Sequence, residues 1–120
     1  MTPPNGLKGL HILVVEDDYL IGYDFAATLE GLGAIVLGPV GNVDDALDLL
    51  VETAKVDGAV LDLNLGGELS YPIADALVER GIRFVFTTGY DKNSIAERFC
   101  DVTRCEKPVE MLKVVKALLE

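Results

Sequence analysis

The sequence predicts one α/β domain built as a doubly wound, three-layer sandwich, a parallel sheet with helices on both faces. Three observations carry this expectation. The chain has 120 residues, room for one domain with one core. Its strongest apolar runs, Ile12-Leu13-Val14-Val15, Ile35-Val36-Leu37, Ala59-Val60-Leu61 and Phe84-Val85-Phe86, are short and nearly unbroken, which suits strands buried on both faces. Between the runs lie segments with the apolar spacing of helices, so strand and helix alternate, as right-handed crossovers between parallel strands require.

Each element has its own signal. The first helix has a stripe of Ile21, Phe25, Thr28, Leu29 and Leu32 and a glycine stop at Gly31 or Gly33. In the second, Val43, Ala46, Leu47, Leu50, Val51 and Ala54 recur with helical period, Asn42 stands at the N-cap, and Asp44 and Asp45 place negative charge in the first turn. The third uses Ile73, Ala74, Leu77 and Val78 and stops at Gly81. Asn93 to Phe99 has a poor stripe and room for about two turns, so the fourth helix is expected to be short or frayed. A weak fifth strand, Thr103-Arg104-Cys105-Glu106, precedes a last helix with Met111, Leu112, Val115, Leu118 and Leu119. Residues 1–8 read as an N-terminal extension and 9–120 as the domain, with no linker, repeat or low-complexity stretch.

Composition narrows the partners. Half of the residues are hydrophobic and a quarter charged, the mixture of a folded soluble chain. Lys and Arg number 10 against 20 Asp and Glu, a net charge of −10 that repels phosphate backbones and anionic lipid. No direct nucleic-acid or membrane partner is expected, and the natural small partner is a cation. No apolar run approaches the ~20 residues needed to span a bilayer, and Met1 to Gly6 lacks the pattern of a signal peptide, so the cytoplasm is the expected compartment. Cys100 and Cys105 read as small buried hydrophobes rather than a bridge or half of a zinc site.

In an open α/β sheet, ligands bind beyond the carboxyl ends of the strands. The residues there are Glu16, Asp17 and Asp18 after the first run, Asp62, Leu63 and Asn64 after the third, Thr87, Thr88 and Gly89 after the fourth, and Lys107 and Pro108 after the fifth. Asp18 alone reads as an N-cap. Three clustered carboxylates are different, because each pair repels by about 1 kcal/mol in water and about 4 at an effective dielectric near 20. Lys107 supplies one positive charge and leaves the cluster net negative, which favours a hard divalent ion, best Mg2+. Flanked by such an ion and a lysine, Asp62 can attack phosphorus and form an aspartyl phosphate, while Lys107 and the Thr88 hydroxyl stabilise the phosphoryl oxygens.

At these residues the chain resembles the response regulator receiver domains of two-component signalling, from about Gly9 to Leu119. The resemblance rests on four motifs in order: Ile12-Leu13-Val14-Val15-Glu16-Asp17-Asp18, Val60-Leu61-Asp62-Leu63-Asn64, Thr88-Gly89 and Lys107-Pro108. It implies a flavodoxin-like fold with five parallel strands in the order 2-1-3-4-5, and a stand-alone receiver that takes a phosphoryl group from a histidine kinase or phosphotransfer protein and signals to a downstream protein target. Such a chain is a monomer or weak dimer and no enzyme in the usual sense, with Mg2+-dependent self-phosphorylation and slow self-dephosphorylation only. The implied roles are Asp17 as direct metal ligand, Glu16 acting through water, Asp62 as phosphoacceptor and metal ligand, the Asn64 carbonyl as a further ligand, Thr88 as switch hydroxyl and Lys107 as phosphate contact. The Lys107-Pro108 bond is often cis in this family. Arg83 to Tyr90 is similar to a subgroup with a Phe-Ala-Thr-Gly-Tyr type motif, whose fourth helix is often short and mobile.

One position departs from the family. Three residues before the lysine, where an aromatic side chain usually swings inward, this chain has Arg104, which reads either as a surface arginine paired with nearby acids or as a replacement in the switch. Tyr90 is either a loop aromatic or a gate over the acceptor that belongs to the output surface, and Thr87 competes with Thr88 for the switch role. His11, the only histidine, reads as a solvated residue opposite the acidic edge, and Gly66-Gly67 as a flexible loop. Other functions are weaker. A haloacid-dehalogenase-like phosphatase carries a second aspartate two residues after the nucleophile, where this chain has Asn64. A flavodoxin-like cofactor binder is disfavoured by the acidic strand ends, and a pseudo-receiver docking module by the completeness of the site.

Overall fold

The computed structural model describes residues 6–89 and 95–119. In chain order its elements are β1 (His11–Val15), α1 (Tyr19–Gly31), β2 (Ile35–Val40), α2 (Val43–Glu52), β3 (Gly58–Asp62), β4 (Asn64–Leu65), β5 (Glu68–Leu69), α3 (Tyr71–Glu79), β6 (Arg83–Thr88), a 3-10 turn (Glu97–Phe99), β7 (Arg104–Glu106) and α4 (Met111–Leu119). Five strands form one sheet in the order β2-β1-β3-β6-β7, every neighbouring pair parallel. With the small hairpin β4–β5 set aside, this is the 2-1-3-4-5 order that the resemblance to receiver domains implies.

Side chains alternate across a strand, and in the central strands both sets are apolar. Leu13, Val15, Ala59, Leu61 and Phe86 face one layer with Ala46, Leu50, Ile73 and Leu77 of α2 and α3. Ile12, Val14, Val60 and Val85 face the other with Phe25, Leu29, Val114 and Val115 of α1 and α4. Each such Val, Leu, Ile or Phe contributes about 1.5–3 kcal/mol when fully buried, so the unbroken apolar runs fix a sheet covered on both sides. Leu7, assigned to the extension by the sequence reading, is fully buried in the second layer.

The helix boundaries follow local chemistry. Asp18 caps α1, its Oδ1 accepting from the N–H groups of Leu20 and Ile21 at 3.0 and 3.2 Å. Asn42 caps α2 by accepting from Asp45 N–H at 2.8 Å. The chain leaves α1 through Gly33 at φ +96°, where a Cβ would meet the Lys8 backbone at 2.8 Å, so only glycine fits.

Several expectations are corrected. β2 is an edge strand of the sheet among the described residues, and Ile35 at its start is exposed rather than buried. Val78, Leu112 and Leu119 are exposed while Val114 is buried, and α2 ends at Glu52, before Ala54. Cys105 is buried but Cys100 is exposed. His11 is half-buried rather than solvated: its N–H donates to Asp57 Oδ2 at 2.8 Å, and its Nδ1 lies 3.6 Å from the same oxygen. Gly66 and Gly67 form the tight turn of the β4–β5 hairpin, both at positive φ, rather than a loose loop. No helix of the described residues is long and apolar enough to cross a membrane.

Candidate functional site

The parallel sheet brings the ends of β1, β3, β6 and β7 to one edge, and with them the predicted residues. Glu16 and Asp17 follow β1, Asp62 ends β3, Thr87 and Thr88 end β6, and Lys107 follows β7. Backbone bonds fix these ends to one another: Leu63 N–H donates to Thr87 O at 2.9 Å, Lys107 N–H to Thr88 O at 2.7 Å, and Glu16 N–H to Val40 O at 2.9 Å.

Glu16, Asp17 and Asp62 each offer a carboxylate oxygen within 4.8 Å of the others. Two of the three are buried, Glu16 at 3% exposure and Asp62 at 5%, while Asp17 is exposed. Lys107 Nζ stands between the buried pair, 2.6 Å from Glu16 Oε1 and 3.0 Å from Asp62 Oδ2. The remaining oxygens take backbone donors, Asp18 N–H on Glu16 Oε2 and Asn64 N–H on Asp62 Oδ1, both at 3.2 Å.

The charges are unbalanced, and the proton affinities register it. Burial, then a hydrogen bond shared with Asp62, push the Glu16 carboxyl above its ordinary value. Burial and the neighbouring Glu16 raise Asp17 likewise. Burial alone would lower Lys107, but its bonds to Glu16 and Asp62 outweigh that and hold the ammonium above its usual range. A cluster of oxygen donors with one cation for three acids fits a hard divalent ion.

No protein-family model and no curated protein matches the chain. Solved structures do. SdrG from Sphingomonas melonis Fr1, determined in solution, is 42% identical, with 92% of this chain and 93% of that one covered and a TM-score of 0.80. A BeF3-activated conformation of SdrG from Pseudomonas melonis Fr1 is 43% identical over 91% of this chain and 92% of that one, with a TM-score of 0.73. A CheY-like response regulator receiver domain from Methylobacillus flagellatus is 26% identical over 92% and 96%, with a TM-score of 0.76. The chain belongs to the response regulator receiver family.

Within this receiver, the sequence-derived residues Glu16, Asp17, Asp62 and Lys107 converge. Both threonines are buried, and successive side chains alternate, so Thr87 shares the sheet face of Val85 and Thr88 that of Phe86. The Asn64 side chain is exposed and turned to the hairpin, where Oδ1 accepts from Gly67 N–H at 2.6 Å. Lys107-Pro108 is cis, as the resemblance implies. Arg104 is exposed on β7, its carbonyl accepting from Lys113 Nζ at 3.0 Å, and Tyr90 lies outside the described residues.

Two features escaped the sequence reading. The β4–β5 hairpin brings Gly66 beside the acidic cluster, where a Cβ would lie 3.6 Å from Asp17 Oδ2; the Gly-Gly pair between Asn64-Leu65 and Glu68-Leu69 was its signal. The other is the set of contacts between α3 and the 3-10 turn, which no local motif announces.

Proposed function

We propose that this receiver accepts a phosphoryl group on Asp62 from the phosphohistidine of a histidine kinase or phosphotransfer protein. The observation that carries it is the Lys107 ammonium shared by Glu16 and Asp62 beside a third carboxylate. A carboxylate oxygen of Asp62 attacks phosphorus, the phosphorus–nitrogen bond breaks, and the leaving imidazole nitrogen keeps the electron pair and takes a proton. Lys107 then turns from the carboxylate to the phosphoryl oxygens, joined by the Thr88 hydroxyl, and both stabilise charge where it develops. Glu16, Asp17, Asp62 and the Asn64 carbonyl would hold Mg2+, which neutralises charge on acceptor and phosphoryl group when bound.

Access for a donor helix is available beside the site. An open groove of about 620 Å³ runs past Lys107 between α1 and the start of α4, with Ile21, Phe25, Pro108, Val109 and Met111 in its lining. Its apolar wall and the acidic surface suit an amphipathic helix with basic flanks. A cytoplasmic location and a downstream protein target belong to the same reading. The better overlay on SdrG than on the BeF3-activated form supports reading this conformation as the resting one. Receivers are signalling proteins, and Asn64 in place of a second aspartate argues against turnover as a phosphatase.

The experiment is labelling with acetyl phosphate. Wild type labels only with magnesium, and Asp62→Asn does not label; a mutant that labels normally refutes the assignment and favours a docking module without phosphoryl chemistry.

A further inference from the structure

The 3-10 turn Glu97–Phe99 is fastened to α3 by contacts that the acceptor site does not use. The Tyr71 hydroxyl oxygen accepts from Ala96 N–H at 2.9 Å. Arg98 donates Nε to Asp75 Oδ1 and Nη2 to Asp75 Oδ2, each at 3.0 Å, a two-pronged pair at the surface. Its guanidinium carbon lies 4.6 Å from the Phe99 ring centre and 5.4 Å from that of Tyr71. Beneath it Phe99 is buried, 5.3 Å from the Tyr71 ring and 5.7 Å from Phe86.

Both ends of this contact lead back to Asp62. On the α3 side, Ser70 closes the hairpin after Asp62, donating its N–H and its hydroxyl to Leu63 O at 2.9 and 3.3 Å, so Tyr71 is held rigidly to the acceptor strand. On the other side, Thr88 ends β6 on the sheet face of Phe86, whose ring lies 5.7 Å from that of Phe99 in the turn. A phosphoryl group that draws Thr88 inward acts on the sheet face against which the turn packs, and the turn itself is tied to α3.

We propose that Tyr71, Asp75 and Arg98 form a latch that holds residues 95–99 in the resting position and opposes activation at Asp62. The proposal rests on the phosphoacceptor reading above. Tyr71, Asp75 and Arg98 are positioning residues, since none of them belongs to the acidic site. A contact made in one state only shifts the equilibrium by its own free energy, so removing the latch favours the activated state and, by reciprocity, tightens whatever ligand selects that state.

The test is a calorimetric titration of beryllofluoride, a phosphoryl mimic, into the magnesium-loaded protein for wild type, Tyr71→Phe, Asp75→Asn, Asp75→Glu and the double variant Tyr71→Phe/Asp75→Asn. Tyr71→Phe keeps the ring and loses the bond to Ala96; Asp75→Asn loses the surface charge. Each is expected to bind beryllofluoride roughly threefold tighter, the double variant more so, and Asp75→Glu to return toward wild type. Magnesium affinity without beryllofluoride stays unchanged, a readout that separates the latch from damage to the site. Equal or weaker beryllofluoride binding by folded variants overturns the latch. If Tyr71→Phe fails to fold, Asp75→Asn decides alone, because Asp75 is half-exposed and pairs with Arg98 at the surface. A wild type that binds no beryllofluoride sinks the phosphoacceptor reading, and the latch with it.

Discussion

Lys107 and Asp62, 45 residues apart in sequence, meet at 3.0 Å because β3 and β7 end at the same edge of one parallel sheet. The same ammonium reaches Glu16, so in this conformation it occupies the charge position that a metal ion would contest. Replacing it with a neutral side chain of similar length separates the two roles. Lys107→Met is expected to bind Mg2+ severalfold more tightly, since a like charge leaves the cluster. It is also expected to label with acetyl phosphate tenfold more slowly or worse, since a donor to the phosphoryl oxygens is lost. Fluorescence or NMR titration measures the first and mass spectrometry the second. Weaker Mg2+ binding by the variant contradicts this account of Lys107.

The pH dependence follows from the raised Glu16 and Asp17 carboxyls. A carboxyl whose folded value lies above its unfolded one holds more protons in the native state, so its stabilising contribution is complete below about pH 4 and is lost as pH rises through the raised folded value. In metal-free buffer, the stability of wild type relative to Glu16→Gln is expected to fall between pH 4 and pH 7. Lys107, also raised, contributes evenly across that window because its own loss begins only at alkaline pH. Saturating Mg2+ reverses the slope, since the ion binds the ionised form. Urea melts of the two proteins at several pH values, with and without magnesium, measure it.

The sequence makes these residues legible because strand ends in a parallel sheet share an edge, so short motifs at those ends bring Glu16, Asp17, Asp62 and Lys107 together. The caps at Asp18 and Asn42 were equally readable, being local. What escaped depends on partners far apart in the chain. Val114, not Leu112, faces the core, since the apolar arc left by Lys113 and Lys116 is wider than the face the sheet covers. His11 meets Asp57 across 46 residues, and Arg98 meets Asp75 across 23.

Arg80 shows the same non-local logic in the scaffold. From the C-cap of α3 its guanidinium donates to Leu50 O at 2.7 Å, Thr53 O at 3.0 Å and Ala54 O at 3.1 Å, closing the otherwise unsatisfied carboxyl end of α2. Arg80→Ala is expected to cost about 1–2 kcal/mol, a fall of roughly 4–8 °C in Tm per kcal/mol for a domain of this size. Arg80→Lys recovers only part, because an ammonium lacks the planar fork. Mg2+ affinity stays within twofold, since α2 supplies none of the clustered carboxylates. Calorimetry and a magnesium titration check both statements.

The last prediction separates Thr87 from Thr88. Both are buried at the end of β6, and their carbonyls do different work: Thr87 O anchors Leu63 and Thr88 O anchors Lys107. Valine keeps the shape of threonine and removes only the hydroxyl, leaving both backbone anchors intact. If Thr88 carries the switch hydroxyl, Thr88→Val labels roughly tenfold more slowly with acetyl phosphate and loses the NMR shifts that beryllofluoride induces at residues 95–99. Thr87→Val keeps the shifts at residues 95–99, because its side chain shares the sheet face of Val85, away from Phe86 and the latch, although it is the register partner of Asp62. The reverse pattern assigns the role to Thr87 and breaks the proposed route from Asp62 through the Phe86 face to the turn.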